Sequence, residues 1–485
     1  MPRAGDQTQP KLKPYTVYAS LLFDSKTRSF LANIALTISP SSGRIVSVKS
    51  YDPSASPSLE IRSPDLDFRG KTVLPGLVDA HTHILLHPYT ETPALNQIRD
   101  ESLVQRIVQA TNNCRLALKA GYTTYRDLGT EGAYNVDIGI RDSINRGMIP
   151  GPRLFVATEA LASSDSYQLR QENRIGGMIA PRLSDECDGP QGVKSAVRRR
   201  IGAGADVIKF YGEYRRRTLR FPAQSWSGAS PIIVPPFCGP SRSVDRSDFQ
   251  NLAHETELGE ASTPDTASDS DDQVDFMDYR NPNAIMFDQE EMAAIVAECR
   301  RAKAPVACHA STPEAVIMAS NAGVTTVEHG YVSSFQALET MNKNGTIFVP
   351  TLSVYELELR AMGGGRIWKS IKQHTKNAFD QGVALACGGD TGAFAHGDNV
   401  RELELFMESG IPLVDTLRAA TLGGWEACGK ELSGFKFGWL GEGWSADMTV
   451  LDGDLREDIT VLRKVETVIK DGRVVVWEAE VIEKV

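Results

Sequence analysis

From residue 72 onward, short runs rich in β-branched residues alternate with longer stretches of helical period, and the alternation recurs eight times. The runs are TVLPGLVDAHTH (72–83), YTTYRDLG (122–129), RLFVAT (153–158), DVIKFYG (206–212), PVACHAS (305–311), TTVEHGY (325–331), IFVPTLS (347–353) and VALACGGDTG (383–392). Between them lie helical stretches such as DQEEMAAIVAECRRAK (288–303) and PEAVIMASNAG (313–323), the second ending on a glycine where a helix C-cap belongs. Apolar strands separated by helices pair in parallel, and eight such units close a barrel. The predicted fold is therefore α/β, with a (β/α)8 TIM barrel over residues 72–434.

The two ends of the chain read differently. Residues 14–71 and 435–485 are strand-like, with a DGR turn (471–473) between VETVIK and VVVWE. They predict a small composite β-sandwich domain built from both ends, after a polar, disordered stretch over 1–13. One insertion, 213–284, interrupts the barrel after its fourth strand, and its SDSDDQ-containing middle (262–273) reads as unfolded on composition.

Composition narrows the function classes. A 485-residue chain with 41% hydrophobic residues can bury a sizeable core. No apolar run approaches bilayer length, and the N-terminus lacks the apolar segment of a secretory signal, so the expectation is a soluble, cytoplasmic protein without a membrane partner. Seven scattered cysteines show no paired spacing and read as reduced thiols. Of the net charge of −10, nine acidic residues fall in 254–278, where there is no Lys or Arg. The rest is nearly neutral, which argues against nucleic-acid binding.

The chemistry lies at the strand ends. Lys209 closes the apolar run DVIKFYG, where an isolated ammonium is costly to bury; either it snorkels to the surface or its charge is handled by chemistry. His81 and His83 form a His-x-His pair whose period-two spacing points both rings to one face, at the end of a barrel strand that opens on the active-site mouth. His309 and His329 end the fifth and sixth runs, and Asp390 the eighth. Six metal-competent residues at corresponding positions point to a metal site.

These motifs resemble the amidohydrolase superfamily of metal-dependent hydrolases. LPGLVDAHTH and GWLGEGWSADMTVLDGDL carry the likeness at the two ends; KFYGEYR, CHASTPEA, VEHGY and TGAFAHGDNVRELELF are similar to its imidazolonepropionase-like and prolidase-like branch, which takes in Xaa-Pro dipeptidases and ochratoxinase. The resemblance implies two divalent metal ions. His81, His83 and Asp390 would hold one, His309 and His329 the second, and a CO2-derived carbamate on Lys209 would bridge them. Zinc suits the imidazole and carboxylate ligands, although such a set also accepts manganese, cobalt, nickel or iron. A lysine whose pKa is lowered by burial offers the neutral amine that reacts with CO2.

The implied reaction is attack of a metal-bridging hydroxide on an amide carbonyl, with Asp390 as general base and acid and His329 or another histidine assisting the oxyanion. The expected substrate is a small-molecule amide such as a dipeptide or N-acyl amino acid. The alternatives are a hydrolase of cyclic amides, imidazolones or lactones, a decarboxylase or rearrangement enzyme on the same scaffold, and a metal-free binding protein. Substrate-facing candidates are Arg126, Tyr211, Arg215 and His396, each at or just past a strand end; for Arg126 a structural ion pair is the competing reading. Family analogy adds a homo-oligomer.

Overall fold

The computed structural model describes residues 13–52, 61, 63–168, 170–171, 178–179, 181–216, 283–332, 334–362 and 365–483. The expectations for residues 1–12 and for 217–282, including 262–273, lie outside the described residues. Four strands open the chain: β1 (Tyr15–Asp24), β2 (Ser29–Ser39), β3 (Arg44–Ser50) and β4 (Leu66–Pro75). There follow β5 (Leu77–Thr82), β6 (Tyr122–Asp127), β7 (Arg153–Val156), β8 (Ala160–Ala162), β9 (Arg170–Gln171), β10 (Met178–Ile179), β11 (Ser184–Glu186) and β12 (Ile208–Tyr211). Next come β13 (Glu213–Arg216), β14 (Asn283–Ile285), β15 (Val306–Ala310), β16 (Thr326–His329) and β17 (Ile347–Val349). The last strands are β18 (Met448–Leu451), β19 (Val465–Lys470), β20 (Arg473–Trp477) and β21 (Glu480–Val481).

Both chain ends meet in one mixed sheet of eight strands, ordered β21-β20-β19-β18-β4-β1-β2-β3. The seam is β4, which runs parallel to β1 (Leu22 opposite Val73) and antiparallel to β18 (Val450 opposite Val73). Where a two-sheet sandwich was expected, a single sheet turns back on itself: Arg44 bridges Ser445, and the Tyr15 hydroxyl donates to the Gly472 carbonyl over 3.1 Å. The ladders break register at Ala19/Leu21, Thr37/Ile38 and Val450/Leu451, and bulges of this kind bend a sheet. That face carries Val17, Leu36, Phe68, Met448 and Ile469, drawn from both ends of the chain.

The central strands are buried on both faces and pair in parallel, as their uninterrupted apolar runs require. Their ladders form two sheets, β5-β6-β7 and β11-β8-β12-β15-β16-β17, where one closed eight-stranded ring was expected. Two short strands, β8 and β11, extend the larger sheet past β12. The expected last strand, 383–392, forms no ladder; it is joined by the isolated bridges Phe348–Leu385 and Thr82–Thr391. Backbone hydrogen bonds still link it to both neighbours, from Phe348 to Ala384 (2.8 Å) and from Ala80 to Cys387 (2.9 Å). Glycines at 388, 389 and 392 explain the irregularity, since they weaken strand pairing and favour turns.

Helices pack outside these sheets. Gln289–Ala302 starts from a capping box between Asp288 and Glu291 and buries Met292, Ile295 and Cys299. Pro313–Ala322 ends at Gly323, whose φ of 88° is the left-handed C-cap expected from the sequence. Immediately after β12, the ribbon β13–β14 pairs Glu213 with Ile285 and Arg216 with Asn283, so the chain leaves and re-enters at one place. Among the described residues, six cysteines are free and buried, and no helix is long and apolar enough to cross a membrane.

Candidate metal centre

Parallel strands deliver their C-terminal ends to one side of the sheets, and there β5 supplies His81, β12 Lys209, β15 His309 and β16 His329. His83 follows β5 directly. Asp390 arrives on the irregular eighth run, whose Asp390 and Thr391 amides both donate to the His81 carbonyl (3.0 and 3.2 Å). The approach is close enough to demand glycine: a Cβ on Gly388 would lie 2.6 Å from the His81 nitrogen. Both His329 (φ 75°) and Asp390 (φ 63°) adopt the left-handed region, a strained conformation that concentrates at functional sites.

Asp390 is the hub. Its Oδ1 lies 3.5 Å from His81 Nε2 and 3.2 Å from His83 Nε2. Ligand atoms of His81, His329 and Asp390 all fall within 4.8 Å of one another. The His329 ring sits 5.0 Å from that of His81 and 4.5 Å from that of His309, so His309 joins the group through His329. Lys209 is 2% exposed, and its Nζ has no hydrogen-bond partner among the described residues. The tight His81–His329–Asp390 triad thus spans the two half-sites implied by the resemblance.

Hydrogen bonds behind the rings aim them. His81 Nδ1 donates to Glu328 over 2.9 Å and His83 Nδ1 to the Gly129 carbonyl over 2.8 Å, leaving each Nε2 directed at Asp390. His329 Nδ1 pairs with the Thr351 hydroxyl at 2.9 Å. Burial pushes the His81 imidazole down to about 4 against the pull of Asp390. It drives His309 and His329 well below the usual range, with help from the Lys209 charge beside His309 and from His309 beside His329. Burial works against the charge on Asp390 too, but His81, His83 and His329 hold its carboxyl well below the usual carboxylate range. Desolvation also lowers Lys209. His83 goes the other way: burial opposes its charge, but Asp390 raises it to about 9, so a metal would have to displace its proton. Neutral imidazoles at His81, His309 and His329, an ionised carboxylate and an amine short of its usual proton affinity are a donor set that fits divalent cations.

The sequence profile of the amidohydrolase family matches residues 72–475. The chain belongs to the amidohydrolase family. It is a hydrolase acting on amide bonds. The chain is 26% identical to the ochratoxinase of Aspergillus niger over 481 residues, covering 93% of this chain and 84% of that protein. Among solved structures, a Xaa-Pro dipeptidase with methionine bound in its active site superposes with a TM-score of 0.69 at 26% identity, over 95% of this chain and 99% of the other. The crystal structure of A. niger ochratoxinase shares the fold, with a TM-score of 0.68 at 24% identity over 96% of each chain.

In this amidohydrolase the four substrate-facing candidates separate. Arg126 is 0% exposed and donates to Ala80 O (2.6 Å), Thr326 Oγ1 (2.9 Å), Ala427 O (3.2 Å) and Glu328 Oε1 (2.8 Å), so it is a buried structural cation and not a substrate clamp. His396 is buried, its Nε2 3.2 Å from the Leu86 carbonyl and its ring against Tyr125. Tyr211 stacks on Tyr167 with 4.1 Å between ring centroids and lies 5.2 Å from the His309 ring, beside the candidate ligands. Tyr214 adds an edge against both Tyr167 and His309. The side chain of Arg215 lies outside the described residues.

Two residues that sequence reasoning missed hold the centre together. Asp79, buried in LVDAHTH, accepts from the His81 amide (3.0 Å), the Thr391 hydroxyl (2.8 Å) and Asn399 Nδ2 (2.6 Å), tying β5 to the segment after Asp390. Glu328 bridges His81 and Arg126. Burial opposes its charge, yet Arg126 takes its carboxyl down to about 2. The signal that could have found both is the one that singled out Lys209: a charged residue in a run otherwise buried on both faces.

Proposed function

We propose that the chain is a binuclear metal-dependent amidohydrolase that cleaves the amide bond of a small molecule such as a dipeptide or N-acyl amino acid. The observation that carries this reading is the buried Nζ of Lys209, which has no hydrogen-bond partner among the described residues, together with an Asp390 ringed by histidines. An amine in that state can take up CO2, and the resulting carbamate would complete the ligand set of His81, His83, His309, His329 and Asp390. Zinc suits these donors. When bound, a divalent metal pair supplies Lewis-acid polarisation of a carbonyl and a hydroxide nucleophile near neutral pH.

The chain's own residues supply the proton chemistry. Asp390, kept ionised by its histidine neighbours, can accept a proton from the nucleophile and return it to the leaving nitrogen, which departs poorly unless protonated. The aromatic wall of Tyr167, Tyr211 and Tyr214 stands next to His309, where a substrate side chain would rest. The backbone hydrogen bonds that join residues 384–387 to β17 and β5 support reading the two parallel sheets as parts of one eight-stranded barrel. The names of the similar proteins, ochratoxinase and Xaa-Pro dipeptidase, support a substrate with an amino-acid amide.

The test is a panel of dipeptides, N-acyl amino acids, lactams and lactones offered to metal-replete protein. Hydrolysis of the acyclic amides is expected; turnover of ring substrates alone would overturn the reading. Lys209→Ala should lose bound metal and at least a hundredfold of activity, with partial recovery in short carboxylic acids. Full activity without that rescue would remove the carbamate from the scheme.

A further inference from the structure

Arg126 and Glu328 form an ion pair in which both side chains are 0% exposed, a costly arrangement that a pair of apolar residues would avoid. The pair is not isolated. Glu328 directs Oε1 at Arg126 and accepts there from the Thr326 hydroxyl as well, while Oε2 faces His81 Nδ1 at 2.9 Å. Arg126 reaches β5 a second way, because its Nε donates to the carbonyl of Ala80, the residue before His81 (2.6 Å). His81 is therefore held through its backbone and through its ring by one guanidinium and one carboxylate. Residues 80–81, 126 and 328 come from three different strands, so the clamp fixes their relative positions.

A carboxylate can only accept, so the proton between Glu328 and His81 belongs on Nδ1, and Nε2 keeps its lone pair on the side of Asp390. We propose that Arg126 and Glu328 are positioning residues that hold His81 in the tautomer and orientation needed to ligate a metal. The proposal rests on the metal-centre reading above. Carboxylates that receive the second ring proton of a ligating histidine are commonly worth 10- to 100-fold in metal affinity. The guanidinium keeps this carboxylate in place: its fork spans Glu328, Thr326 and the β5 backbone.

The experiment compares wild type, Glu328→Gln, and the double variant Arg126→Met/Glu328→Gln. Each is labelled with ¹⁵N-histidine, stripped of metal and examined by NMR for imidazole tautomers; zinc affinity is then measured by chelator competition, and folding by circular dichroism. Wild type should show His81 as one Nδ1–H tautomer. Glu328→Gln should show a tautomer mixture and bind zinc 10- to 100-fold more weakly. That single variant leaves Arg126 buried without its counter-charge and will be less stable, whereas the double variant removes both charges and should recover folding while zinc affinity stays low. A purely structural role would lower thermal stability and leave the zinc affinity of folded protein unchanged, so a folded double variant with wild-type affinity overturns the proposal. A wild-type spectrum with the His81 proton on Nε2 overturns it outright. If wild type binds no zinc, the metal-centre reading fails, and the tautomer spectra still decide whether Glu328 sets the ring.

Discussion

Gly388 sets how near the segment carrying Asp390 can come to His81. An added Cβ would meet the His81 nitrogen at 2.6 Å and a Val349 methyl at 2.8 Å, neither of which can retreat without moving a strand. Gly388→Ala should therefore cost about 1–3 kcal/mol of stability, as overpacking does, and weaken zinc binding together with it; urea unfolding and a zinc titration on the same sample check both. Asp137 offers a test of a different kind. Burial, with Asp127 nearby, raises its carboxyl to about 8 from 3.8. Between those values the folded state binds more protons than the unfolded chain, so stability falls as pH rises through the window. Asp137→Asn removes that proton uptake. The slope of unfolding free energy against pH from 5 to 8 should flatten by up to about 1.4 kcal/mol per pH unit; an unchanged slope would reassign the effect.

At the scale of elements, the helix Leu352–Met362 begins against a buried carboxylate. Glu402 accepts from the Leu352 amide (2.9 Å) and from the Ser353 amide and hydroxyl (2.8 Å each). Thr351, whose hydroxyl pairs with His329, stands just before that helix. Glu402→Ala should cost about 1–3 kcal/mol, the penalty for buried donors left unpaired, and loosen His329 through Thr351; denaturant midpoints and zinc affinity measure the two effects separately. The strands were legible because apolar runs on both faces leave a charged or imidazole residue conspicuous, which is how Lys209, His309 and His329 stood out. For Arg126 a structural ion pair was one of two readings the sequence left open, but its partner was not legible, nor was the contact of His396, since partners as distant as Glu328 and Leu86 are a property of the assembled sheets. Residues 383–392 were read as a strand from their β-branched start, but the glycines that admit Asp390 to His81 also break the ladder.

At the scale of the molecule, Arg153 fastens the two architectures to each other. From the start of β7 it donates to Asp447 just before β18 (2.8 Å), and its guanidinium lies 4.9 and 5.2 Å from the Phe435 and Phe437 rings. Arg153→Met should cost about 3–5 kcal/mol because Asp447 would lose its buried counter-charge; calorimetry should show a lower melting temperature. The strand character of both ends was legible in their alternating patterns, whereas the order in which those strands pair, with β4 between β1 and β18, is not encoded in any one run. The seam of that sheet has a consequence for the order in which the protein is made. On the ribosome, β1 and β4 can pair as soon as they emerge, but the other edge of β4 belongs to β18, more than 350 residues later. For most of synthesis the nascent chain carries an unfilled strand edge, open to mispairing with other chains.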